Sequence, residues 1–182
     1  MSTRRPMMRT DDSQPREIPP AIRLLALVLG ASFFGFGLPW LLAAAGRRAD
    51  QTASLPQITP GGWAFLFGAA LIAVGLCFAG WSVSQLSSVG RGTPLPFLPA
   101  PRLVVRPPYS YCRNPMAFGV ILAYIGFGFA IGSAGTVGYA MLFAGFLVVY
   151  IKFEETGLRT RFGEDYVEYK RRTPFLIPRP WL

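Results

Sequence analysis

No histidine occurs among the 182 residues, and only two cysteines do. With imidazole absent and Cys77 and Cys112 isolated from each other, neither a zinc nor a haem site has a ligand set, so no metal is expected. Cys77 lies inside an apolar run and Cys112 in a polar stretch, so a disulfide framework is not expected either. Carboxylates are scarce as well: nine Asp and Glu stand against eighteen Lys and Arg. In a soluble chain that balance would raise the question of nucleic acid. Here the basic residues flank long apolar runs, the ordinary pattern of a membrane protein, and no nucleic-acid partner is expected.

What is abundant is apolar sequence. Hydrophobic residues make up 52% of the chain and are gathered in runs, which indicates an integral membrane protein. The first 21 residues are polar and rich in Pro and Arg, and read as an N-terminal tail. Residues 22–86 hold two spans. The first runs from Ile22 to Ala45, too long for the apolar core of a signal peptide, with Pro39 tolerated as a kink. A loop, Gly46 to Gly62, carries Arg47, Arg48 and Asp50. The second span runs from Trp63 to Val83, with Trp63 and Trp81 near its two ends as interfacial anchors. A Pro- and Gly-rich connection follows from Ser84 to Pro115. The apolar stretch from Met116 to Phe153 would be roughly 57 Å long as one helix, nearly twice the hydrocarbon thickness. The break Gly132-Ser-Ala-Gly135 divides it into a tight helical hairpin. The expected fold is an all-α bundle of about four transmembrane spans with a C-terminal cytoplasmic helical segment.

With four spans, both termini and the loop before span three share one side. Most Arg and Lys fall on that side, and only Arg47 and Arg48 fall opposite. The positive-inside rule therefore predicts cytoplasmic termini.

Three polar elements meet at that face. Glu154 and Glu155 close an apolar helix, where a carboxylate is costly unless paired or facing a polar cavity. Pairing of Glu155 with Arg159 at i,i+4 would leave Glu154 free to face the loop. Asn114 fits a helix N-cap and Pro115 the first helical position. Arg113 beside that helix start would strengthen attraction for a carboxylate or phosphate. Gly119, one turn in, would let another backbone or a ligand approach closely. The tail, with Tyr166, Tyr169, Lys170, Arg171 and Arg172, is amphipathic and stops before Pro174 and Pro178. Taken alone, it also suits a basic interfacial helix on anionic lipid.

The ordered set Tyr109-x-Tyr111-x-Arg113-Asn114-Pro115-Met116-x-x-Gly119, a helical hairpin, Glu154-Glu155, and Phe162-Gly-Glu-x-Tyr166-x-x-Tyr169 followed by Pro174 and Pro178 resembles the isoprenylcysteine carboxyl methyltransferase family. That superfamily includes phospholipid N-methyltransferases. The upstream Gly90-Arg-Gly-Thr-Pro-Leu-Pro-Phe run is similar to the loop of its bacterial members. The likeness covers Gly90 to Pro178. It implies an S-adenosylmethionine site built by residues 87–182 and open to the cytosol, with a lipid-like or prenylated acceptor entering from the bilayer, in the inner membrane of a bacterium. Cofactor-binding positions carried over are Tyr109, Tyr111, Arg113, Asn114, Pro115, Gly119, Glu154, Glu155, Tyr166 and Tyr169. Catalytic roles fall to Glu154, Arg113 and Asn114. Many relatives have His where Asn114 stands, and an amide cannot serve as a titrating base. The methylated group is a carboxylate or an amine. Two other readings compete: a dinucleotide-dependent enzyme similar to membrane sterol reductases, and a non-catalytic protein whose tail grips lipid.

Overall fold

The computed structural model describes residues 19–56, 58, 62–90 and 102–179, and among them there are helices and irregular chain but no strand. The first span is one continuous helical stretch: α1 (Pro20–Ser32) passes through a π turn (Phe33–Gly37) into α2 (Leu38–Thr52). Pro39 accounts for the π turn. In the π turn the Leu38 amide donates to the Phe33 carbonyl, five residues back. The next residue, Pro39, has no N–H to offer the next carbonyl, Phe34. That carbonyl instead accepts the Tyr124 hydroxyl at 2.6 Å, from a different helix. An orphaned acceptor inside the bundle thus becomes a tie between helices.

The helix continues beyond Ala45 to Thr52, so Arg47, Arg48 and Asp50 lie on α2 and not in the expected loop. The reason is a contact that sequence spacing does not announce. Ser133 Oγ donates to Asp50 Oδ2 at 2.5 Å, and the Gly135 amide donates to Asp50 Oδ1 at 2.7 Å. Asp50 therefore places a carboxylate at the N-terminus of α5 (Ala134–Arg172), where free amides and the helix dipole favour it. Any side chain at Gly46 would collide with the backbone of Thr136, and one at Gly135 with the Gly46 carbonyl.

The second span, α3 (Gly62–Ser88), extends five residues past the expected end at Val83. It packs antiparallel on α4 (Pro115–Ala130) through two close backbone contacts, Gly68 with Gly126 and Gly75 with Gly119. A Cβ at any of the four would meet main-chain atoms of the opposite helix. Seven residues further along α3 stands Ser82, and seven before Gly119 stands Cys112; both are fully buried, so the close layer continues towards the loop. Without a solvent-driven hydrophobic force between membrane helices, such small-residue packing holds them together. On the other side of α4, Leu42, Tyr124 and Ala140 join α2, α4 and α5 in one core cluster.

Gly132, in the left-handed region at φ 71°, turns the chain from α4 into α5, and the Ser133 hydroxyl caps α5 by accepting the Thr136 amide. The expected hairpin is present. Among the described residues three helical stretches, Pro20–Thr52, Gly62–Ser88 and Ala134–Arg172, are long and apolar enough to cross a membrane, and Pro115–Ala130 is a shorter apolar helix. The all-α membrane bundle read from the sequence is the fold observed. At 39 residues α5 is about 58 Å long, so only its apolar first part, to Phe153, suits the hydrocarbon. The rest projects beyond it, interrupted at Gly163 (φ 57°, ψ −133°). Residues 1–18 and 91–101, with most of the N-terminal tail and most of the proline-rich connection, lie outside the described residues.

Two substitutions test this packing in detergent-solubilised protein by thermal or denaturant unfolding. Gly119→Leu forces α3 and α4 apart and lowers stability by about 2 kcal/mol, as overpacked cores do. Tyr124→Phe keeps the ring but strands the Phe34 carbonyl, for a loss of about 1 kcal/mol.

Candidate functional site

At the end of the bundle where α3 finishes and α4 begins, the chain folds its last described segment back onto the loop before α4. The loop contributes residues 109–114, and the strap is 173–179. Their backbones pair twice: the Arg113 amide donates to the Pro174 carbonyl at 2.9 Å, and the Arg179 amide to the Tyr111 carbonyl at 3.0 Å. Side chains add more ties. Asn114 Nδ2 donates to the Phe175 carbonyl at 2.9 Å, and the Tyr169 hydroxyl to the Tyr109 carbonyl at 2.7 Å. The strap can reach because Thr173 leaves the helix in extended conformation and prolines follow at 174 and 178.

A buried charge cluster sits under the strap. Arg113 Nε donates to Glu155 Oε1 at 2.8 Å, with the two side chains 9% and 7% exposed. Arg113 Nη1 donates to the Lys170 carbonyl at 3.0 Å and the Thr173 carbonyl at 2.7 Å. Lys170 Nζ holds the other oxygen of Glu155 at 2.7 Å, from a side chain half in solvent. The Arg113 arm matters more, because exposed ion pairs contribute little and a broken buried pair leaves an uncompensated charge. Burial alone pushes the Glu155 carboxyl up; the hydrogen bonds and charges of Lys170 and Arg113 outweigh it and hold the group below the ordinary carboxylate range. Tyr166 is buried against this pair and feels both of its charges. The Phe175 ring lies between two cations, 5.6 Å from the Arg113 guanidinium and 6.0 Å from Lys152 Nζ.

The structure corrects several sequence expectations. Glu155 pairs with Arg113 and Lys170, not with Arg159, because Ile151, Glu155 and Tyr166 form the inward face of α5 while Arg159 is exposed. Asn114 occupies the N-cap position of α4, but its side chain makes no cap hydrogen bond and ties down the strap instead. The close approach expected at Gly119 is made by the backbone of Gly75 and not by a ligand. Pro115 does begin α4, fully buried.

Of the ten positions carried over as cofactor contacts, Arg113, Asn114, Glu155, Tyr166 and Tyr169 thus converge on the strap. Glu154 does not join them. It is exposed, and among the described residues it has no ion pair or hydrogen bond. Its charge reaches Tyr109, whose hydroxyl is pushed well above its ordinary range, first by burial, then by Cys112 and Glu154. Burial likewise raises the Cys112 thiol to about 11, so it is an inert neutral group at neutral pH. Tyr111 stacks edge-on against Trp81 of α3 at 6.0 Å between ring centroids. A shallow depression of about 320 Å³ opens beside the strap, lined by Val105, Ser110, Asp165, Glu168, Tyr169, Arg172 and Thr173. Lys170, Thr173 and Phe175 were not singled out as parts of this cluster by sequence, since their partners lie some 60 residues away. Among the described residues no group of three or more His, Cys, Asp or Glu gathers to hold a metal ion.

The cluster predicts how the strap fails. Replacing Arg113 by Ala leaves Glu155 with only its exposed partner and costs about 3 kcal/mol locally. Hydrogen exchange at the Arg179 amide, protected by Tyr111, then speeds up more than exchange in α3. Acid has the same effect by a different route. A lowered carboxyl stabilises the strap above the ordinary carboxylate range and ceases to as pH falls through its own lower value. Protection at Arg179 is therefore flat from neutral pH down to the ordinary carboxylate range and is lost below it.

Comparison with known proteins places this architecture. The chain is 34% identical to methanethiol S-methyltransferase 2 of Bradyrhizobium diazoefficiens over 71 residues, 39% of this chain and 27% of that protein. Identity to methanethiol S-methyltransferase 1 of the same organism is 27% over 129 residues, 71% of this chain and 43% of that protein. The cobalt-zinc-cadmium resistance protein CzcN of Cupriavidus metallidurans is 38% identical over 78 residues, 42% of this chain and 36% of it. The chain spans less than half the length of these curated relatives. No solved structure matches it. The phospholipid methyltransferase family model matches residues 63–165, from the start of α3 to within the polar part of α5, and the chain belongs to that family.

Proposed function

We propose that this protein transfers a methyl group from S-adenosylmethionine to a small apolar or lipid-like acceptor at the membrane surface. The observation that carries the reading is the family match over α3, α4 and most of α5, the helices whose polar end carries the loop, the acidic pair and the strap. Residues 87–182 would form the cofactor site, and 22–86 the spans beside it. The distribution of Arg and Lys supports cytoplasmic termini, with the site facing the cytosol in a bacterial inner membrane.

The residues fit a sulfonium donor. The cofactor supplies a methyl group on a cationic sulfur that is already a good leaving group. A cation of that kind is attracted by a carboxylate and by aromatic faces. Glu154, Glu164 and Asp165 are without an ion-pair partner among the described residues; of these Glu154 stands where the apolar part of α5 ends and its charge reaches Tyr109, and Tyr109 and Tyr111 stand in the adjoining loop. The roles carried over from the family divide accordingly. Glu154, Tyr109 and Tyr111 would contact the cofactor, while Arg113, Asn114, Glu155, Tyr166 and Tyr169 hold the strap that closes the site. Such chemistry asks the protein to align donor and acceptor in line and to keep water out, which a fixed strap over an apolar helix end would do. The acceptor heteroatom forms the new bond to carbon as the carbon–sulfur bond breaks. A thiol or amine acceptor also loses a proton, which Glu154 or a water would take. Two of the relatives carry the name methanethiol S-methyltransferase, which favours a thiol; the apolar walls of the spans equally admit a lipid amine or carboxylate.

The test is to incubate the protein in nanodiscs with methyl-labelled S-adenosylmethionine and, separately, methanethiol, phosphatidylethanolamine and a prenylcysteine. Label should appear in one acceptor class, and Glu154→Gln should lower the rate at least tenfold while leaving the unfolding temperature unchanged. No label in any acceptor, together with stabilisation by a reduced dinucleotide, would contradict the reading.

A further inference from the structure

The end of α3 meets the loop that carries Tyr109 and Tyr111, and it does so with two consecutive residues. Trp81 stands edge-on to Tyr111, with ring centroids 6.0 Å apart and an interplanar angle of 77°. The Ser82 carbonyl accepts a long hydrogen bond, 3.5 Å, from the Tyr109 hydroxyl. One turn earlier, Phe78 makes the same kind of edge contact with Phe118 of α4, at 5.1 Å. Phe78 and Trp81 are three residues apart and so neighbours on the helix surface. This part of α3 is firmly placed, because the backbones of Gly75 and Gly119 are in contact and the Ser82 side chain is fully buried.

Position along the span makes Trp81 an interfacial anchor. An anchor needs no ring partner. Trp63, at the other end of the same helix, fits that description: it is 87% exposed and makes no aromatic ring contact among the described residues. Trp81 is 42% exposed, and the ring it meets belongs to the loop of the candidate site. Tyr111 is otherwise tethered through its main chain, by the Arg179 amide on its carbonyl and by its own amide on the Pro108 carbonyl. Those bonds fix the backbone and leave the side chain its choice of rotamers. The aromatic contact with Trp81 narrows that choice.

We propose that Trp81 is a positioning residue of the methyl-transfer site, holding the Tyr111 ring in the orientation that meets the sulfonium. The inference rests on the methyl-transfer reading and adds to it a residue of the second span, outside the segment 87–182 assigned to the cofactor.

Binding of labelled S-adenosylmethionine to the full chain in nanodiscs tests it. Trp81→Leu keeps an apolar group at the boundary but no ring, and should raise the Kd about fivefold at an unchanged unfolding temperature. Trp81→Phe keeps an aromatic edge and should stay within about twofold of the parent. Trp63→Leu, the anchor control, should bind as the parent does. Because Trp81 acts through Tyr111, Trp81→Leu should add nothing in a Tyr111→Leu background. This cycle decides the matter even where Trp81→Leu lowers stability, since a general loss of fold weakens binding in both backgrounds alike. Parental affinity in Trp81→Leu, an equal loss in Trp63→Leu, or losses that add in the double variant would overturn the proposal. A parent protein that binds no S-adenosylmethionine would instead remove the methyl-transfer reading itself, and this inference with it.

Discussion

The buried pair of Arg113 and Glu155 is the constraint around which this end of the molecule is arranged. Two charges with so little exposure are costly to remove from water, and their mutual attraction offsets that cost only when the remaining polar atoms are also satisfied. Here they are satisfied by the strap. Arg113 reaches the carbonyls of Lys170 and Thr173, and Glu155 takes Lys170 on its second oxygen. The pair joins the loop before α4 to α5, the second helix of the hairpin. The strap then covers what they enclose. Pulling any one of the three elements away leaves a charge or a carbonyl without a partner, so they form a single unit.

That unit holds its place because the helices beneath it are fixed at both faces of α4. On one face the glycine pairs bring α3 into backbone contact. On the other, the Tyr124 hydroxyl and the core around Leu42 and Ala140 hold the first span. At the far end Asp50 fixes the start of α5 through Ser133 and Gly135. The hairpin of α4 and α5 is therefore held at both ends and on both sides. A methyl-transfer site, which works by alignment, needs a frame of this kind.

The sequence shows the spans, the hairpin and the return of the tail to the loop, because each leaves a local mark: a long apolar run, a Gly-Ser-Ala-Gly break, a run of prolines; of the acidic pair expected there, only Glu155 joins them. Partners are a different matter. Arg159 stands at ideal helical spacing from Glu155, yet burial turns Glu155 inward, where Arg113 and Lys170 await it. Asn114 sits at an N-cap position, yet its side chain makes no cap bond and donates its amide to the strap carbonyl of Phe175, a partner 61 residues away. The helix end at Asp50 was equally illegible, because its partners lie more than eighty residues away. One signal was present and unread: the seven-residue spacing of Gly68, Gly75 and Ser82, mirrored by Cys112, Gly119 and Gly126, is the mark of two helices in close antiparallel contact.

Whether strap and loop stay together in a bilayer is the question that most directly decides the account. Nitroxide labels at Ser110 and Ile177, both exposed, with Cys77 replaced by Ser, would report it in lipid by electron paramagnetic resonance. Strong dipolar broadening with a single narrow distance is the expected result. Two independent, unbroadened spectra with the mobility of a free chain end would mean that the strap does not close over the charge pair, and the site described here would not exist.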